Sequence, residues 1–178
     1  MNKNLFVYLY GFLLIVEGGF LLFEKHFTFH TIRFTLGITL IVGAIFALAT
    51  FLTLHSQVQI GYHKMHALAL VVYGLSVLLF ADTVALLSYL TAFLLFFYSF
   101  SEILFCIWIF NLRKKVKFKI LLIRISLGFL VGISTSLLIN YYTVNETIVM
   151  EGYGILLSII GFNILLYQPI MKEKIAKD

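Results

Sequence analysis

Residues Phe12–Leu22 read FLLIVEGGFLL. The run is apolar apart from one glutamate, and with its flanks, Leu5–Phe23, it is long enough to cross a bilayer. Apolar runs of about 20 residues recur along the whole chain. Of its 178 residues, 62% are hydrophobic and only 12% charged, with a mean hydropathy of +1.05. A soluble domain needs a mostly polar shell, and this composition cannot supply one. The pattern predicts an all-α polytopic membrane protein forming a single transmembrane domain, with no soluble domain attached.

Six spans follow from the hydropathy: about Leu5–Phe23, Arg33–Leu54, Lys64–Ala81, Val84–Phe110, Lys119–Asn140 and Thr147–Gln168. The first has Lys3 before it and no small-residue cleavage site after it, so it reads as a retained span and not a signal peptide. The fourth is long for a ~30 Å core and is expected to tilt or to begin in the interface. Little more than Asp82 and Thr83 joins the third to the fourth.

Loop charges set the expected threading. With both termini on one side, that side holds Lys3, Lys64, Arg113, Lys114, Lys115, Lys117, Lys119, Arg124, Lys172, Lys174 and Lys177, and the other holds only Lys25 and Arg33. The positive-inside rule then puts both termini in the cytoplasm, in a cell (inner or plasma) membrane. The net charge of +5 flanks apolar runs, which suits anionic lipid headgroups at the basic loop Asn111–Lys119 and not nucleic acid.

Glycines hint at a repeat. YGFLL at Tyr10, YGLSV at Tyr73 and LGFLV at Leu127 centre a glycine in each odd-numbered helix, while IVGAI around Gly43 matches IIGFN around Gly161. The reading is three tandem hairpins, about residues 5–54, 64–110 and 119–168. Six spans in three short hairpins, with central glycines and a basic loop before the third, resemble the HdeD-like acid-resistance membrane proteins. Here LLFEK and LLFAD follow the first and third helices, where that family often has a proline. The resemblance implies a role in survival of acid or envelope stress, and carries little mechanism with it.

Small residues also mark the faces expected to pack: Gly11, Leu14, Gly18 and Leu21 in the first helix, and Arg33, Gly37, Leu40, Ala44 and Ala47 in the second. In the fifth they are Arg124, Gly128, Gly132 and Ser136, and in the sixth Glu151, Gly154, Ser158 and Gly161. An ionisable residue lies on or beside each stripe, so the charges point into the bundle. An ionised carboxylate near mid-bilayer costs roughly 2.5–3.5 kcal/mol, so Glu17 needs a partner, water or a proton. It lies roughly 18 Å from the inner boundary at ~1.5 Å per residue. Arg33 is one candidate partner. Glu102 and Arg124 fall at nearly the same depth and are expected to pair, with Tyr98 and Ser99 placed to hydrogen-bond the glutamate. Packing glue is the competing role for that pair, and a solvated end position is the competing role for Glu151.

His26 and His30, four apart beside Glu24, could sense pH on the outer side. His55, His63 and His66 read as inner-interface residues. No metal site is expected, because His26 and His30 lack a third ligand, and no cofactor is implied. The single Cys106 excludes an intramolecular disulfide and reads as a packed thiol. Asn145-Glu146-Thr147 matches a glycosylation sequon too close to the membrane to use. Nucleotide loops, HExxH and GxSxG are absent, so the chain reads as non-enzymatic. The alternative is a small channel or transporter passing protons or a small solute at Glu17. The GxxxG at Gly128–Gly132 could serve packing within one chain or a homo-oligomer.

Overall fold

The computed structural model describes residues 5–53, 57–111, 118–141 and 145–166, with the backbone alone for Phe51, Thr53 and residues 57–60. His55, the arginine and lysines at 113–117, Lys3 and the lysines beyond residue 170 lie outside the described residues.

The described residues form six long helices: α1 (Leu5–Leu22), α2 (Phe29–Thr53), α3 (Gln57–Phe80), α4 (Val84–Asn111), α5 (Phe118–Tyr141) and α6 (Glu146–Leu165). Each is long and apolar enough to cross a membrane. Helices α2 and α3 start earlier than hydropathy alone indicates, because Phe29–Thr31 and Gln57–His63 extend them with polar and aromatic turns. Where the described turns bend, local caps take over. Thr28 Oγ1 accepts from the Thr31 amide at 3.3 Å, Thr83 Oγ1 from Leu86 at 3.2 Å, and Asn145 Oδ1 from Ile148 at 3.1 Å. Each satisfies an amide that the first turn leaves without a partner. Asn145 of the sequon is thus the cap of α6.

Every helix packs on the ones before and after it, and α6 closes onto α1, so the six make a ring in chain order; α4 also meets α6 across it. We call the face where α1, α3 and α5 begin the proximal face and the opposite one the distal face. Phenylalanines and aliphatic residues such as Phe12, Ile45, Leu68, Phe93 and Ile133 cover the outside, the surface a bilayer solvates.

The closest approaches join helices of different hairpins. A Cβ on Gly11 would stand 3.1 Å from the Gly161 carbonyl, one on Gly154 would stand 2.6 Å from that of Gly18, and one on Gly74 would stand 2.9 Å from that of Gly37. Backbones therefore touch at the α1–α6 and α2–α3 seams, where lipid supplies no hydrophobic drive and close van der Waals packing must serve. Gly37, not Gly43, is the tight glycine of α2: a Cβ at Gly43 would meet only Leu70, at 3.8 Å. At the α4–α5 seam Gly132 and Gly128 receive Ser99 and Glu102, so the GxxxG serves packing within the chain. Thr135 is buried on α5, while Ser136 is exposed.

Candidate functional site

The inward faces of these helices build a polar interior in two tiers. The proximal tier centres on Glu102 of α4 and Arg124 of α5, both fully buried. Gly128 lets α5 lie against the Glu102 side chain, which brings the two groups together. Arg124 Nε donates to Oε1 at 2.6 Å and Nη2 to Oε2 at 2.7 Å, the bidentate fork that only guanidinium offers a carboxylate. Tyr62 of α3 accepts from Arg124 Nη2 at 2.8 Å and donates to Oε2 at 2.7 Å. Tyr98 donates to Oε2 at 3.4 Å and Cys106 to Oε1 at 3.5 Å. The guanidinium also lies 5.1 Å from the Phe105 ring centre, an attractive cation–π geometry.

Further groups extend this tier around the ring. Asn163 of α6 donates to the Tyr98 hydroxyl at 2.6 Å. Ser101 gives its hydrogen to the Tyr98 carbonyl at 2.9 Å and so accepts from His66 Nε2 at 3.1 Å. Tyr10 of α1 bonds His63 Nδ1 at 2.9 Å. The tier therefore ties together α1, α3, α4, α5 and α6. Ser99, expected at Glu102, instead donates to the Gly128 carbonyl at 2.7 Å and pins the helix crossing.

The distal tier is built differently. Glu17 is 1% exposed, and neither of its carboxyl oxygens has a hydrogen-bond partner. The Thr39 hydroxyl of α2 is the hydrogen-bonding group nearest to it, and Tyr73 of α3 is close enough to feel its charge. Gly18, next in sequence, is pressed against Gly154 and Ser158 of α6, which seals that side. The rest of the tier is neutral: Tyr73 bonds Thr91 at 2.7 Å, and Ser88 donates to Tyr153 at 3.5 Å.

Arg33 does not meet Glu17. Its Nε donates to the Val77 carbonyl at 3.1 Å, which the Ala81 amide also reaches, and its Nη2 to the Leu78 carbonyl, so the guanidinium caps the last turn of α3. Glu151 pairs with Lys25 at 2.8 Å on the distal face, with side chains 34% and 63% exposed. That ion pair favours the charged form of Lys25, raising its pKa. Partial burial, and then the charges of Glu146 and Glu151, raise the pKa of nearby Glu24. His26 and His30 are exposed; His30 stacks on Phe34 with ring centres 4.7 Å apart. Those two histidines and Glu24 do not converge as metal ligands.

Tyr62, His63, His66 and Asn163 are the members that sequence reasoning missed. The two histidines were expected at the solvated interface, yet both are buried because α3 begins at Gln57 and carries them into the bundle. The available signal was helical spacing: Tyr62, His66 and Tyr73 share one face with Leu70.

The fold and its polar interior define a six-helix integral membrane protein. No family model, curated protein or solved structure matches the chain.

Proposed function

We propose that this is a non-enzymatic membrane bundle of the HdeD-like kind, acting in acid or envelope stress, with Glu17 as its acid-responsive group. Both termini face the cytoplasm of an inner or plasma membrane, and the basic loop rests on anionic lipid. One observation carries the choice of Glu17. It is a fully buried carboxyl whose two oxygens lack hydrogen bonds, whereas the equally buried Glu102 accepts from four side chains. A carboxyl without fixed partners is free to exchange a proton, and the α1–α6 seam packs directly beside it.

Hydrogen exchange of the protein in nanodiscs, compared at neutral and mildly acid pH, tests this. The wild type is expected to change protection along α1 and α6 on acidification, and Glu17→Gln to lose that change. Identical pH responses in the two proteins would remove Glu17 from the role.

A second reading, passage of protons or a small solute past Glu17, is favoured by its burial inside the ring of helices, near enough to Tyr73 of α3 for its charge to act there.

A further inference from the structure

Four helices repeat one pattern at matching depth. Along α1 the inward residues run Tyr10, Leu14, Glu17; along α3 they run His66, Leu70, Tyr73. The antiparallel helices reverse it: Tyr98, Leu94, Thr91 on α4, and Asn163, Ile160, Leu157, Tyr153 on α6. All are buried. Each step is three or four residues, one helical turn. The polar levels therefore stand seven residues, about two turns, apart on α1, α3 and α4, and the layer between them is apolar, made by Leu14, Leu70, Leu94, Leu157 and Ile160. The same five residues line a central cavity of about 20 Å³, whose wall also carries His66 and Tyr98. That is space for roughly one water molecule.

From this layering we infer that the bundle is a closed proton pathway, with the Leu14–Leu70–Leu94–Leu157–Ile160 layer as its hydrophobic gate. The inference rests on the reading of Glu17 as a proton-exchanging group. An apolar constriction blocks conduction by staying dry and conducts when it wets. A short chain of water entering the layer would bridge the roughly two turns, ~10 Å, between the level of Glu17 and that of His66 and Tyr98. A proton leaving Glu17 would pass to the first water, and the last would release one to the proximal tier; no other bond changes. The groups facing Glu17 from the neighbouring helices are Thr39 of α2 and Tyr73 of α3. Neither carries a charge that would trap the proton.

Proton flux into liposomes carrying the full chain, read with an internal pH-sensitive dye, tests the gate. Leu94→Ser is the opening variant, with Leu94→Met as a volume-conserving control. Wild type and Leu94→Met are expected to leak little. Leu94→Ser is expected to raise flux about tenfold or more, since a wetted layer need lower the barrier by only about 1.4 kcal/mol to do so. Adding Glu17→Gln to Leu94→Ser is expected to return flux to the wild-type level. Folding of each variant is checked by its helical circular dichroism and monodispersity, and Leu70→Ser and Leu157→Ser serve as replacements should Leu94→Ser not fold. Wild-type flux in folded opening variants would overturn the gate while leaving the exchange response of Glu17 standing. High flux that persists without Glu17 would overturn its place on the path.

Discussion

Two buried glutamates in the two tiers of the same interior have opposite surroundings. Glu102 sits in a fork of Arg124, with Tyr62, Tyr98 and Cys106 completing its shell. Glu17 sits between a glycine-tight seam and the hydroxyl-bearing Thr39 and Tyr73, with no charged partner. Burial is equal, so burial alone does not tell a structural charge from a functional one. The partners differ: the Glu102–Arg124 pair ties α3, α4, α5 and α6 together through its hydrogen bonds, whereas Glu17 has no comparable shell.

The largest expected effect breaks the Glu102–Arg124 side. Glu102→Ala leaves Arg124 charged in the bundle interior, which should cost roughly 3–5 kcal/mol. Denaturant unfolding in detergent should show the loss, and Glu102→Gln should lose less. Unchanged stability in Glu102→Ala would mean that the pair is not the lock.

The seam beside Glu17 comes next. Gly161→Ala places a Cβ against the Gly11 carbonyl and Ile15, overpacking that should cost roughly 1–3 kcal/mol. Gly43→Ala meets only Leu70, at an ordinary contact distance of 3.8 Å, and should be neutral, or gain up to about 1 kcal/mol of helix propensity. Equal effects at the two glycines would contradict the packing described.

Helix count, the Glu102–Arg124 pair and the inward stripe of α1 were legible in the sequence, because in a bilayer apolar length and small-residue spacing directly report what lipid and backbone demand. Other features were not. Arg33 turned to the end of α3 because the Val77 and Leu78 carbonyls there compete with a carboxyl for its donors, and spacing does not rank acceptors. His63 and His66 were misplaced because polar residues at the start of α3 disguise its first two turns. The ring closure of α6 on α1 was hidden too, since hairpin reading favours neighbours in sequence over Gly11 meeting Gly161 across the whole chain.

A smaller effect tests the distal face. Glu24 has a raised pKa, caused by burial and then by Glu146 and Glu151. A carboxyl raised on folding binds its proton more tightly in the native state. Its contribution is therefore favourable at pH below the ordinary carboxyl value and is lost as pH rises through the raised one. Glu24→Gln should accordingly stabilise the protein near neutral pH, with the gain shrinking as pH falls through that window. Thermal melts across pH would read this, and a gain independent of pH would refute the assignment.

The contrast between the two glutamates is most directly tested by infrared difference spectroscopy of the lipid-embedded protein, taken between neutral and mildly acid pH. The wild type should show a carboxyl carbonyl band, at the high frequency of a group lacking hydrogen bonds, that changes with pH and vanishes in Glu17→Gln. Glu102→Gln should leave that band in place. A band that survives Glu17→Gln, or no pH-dependent carboxyl band at all, would contradict the account.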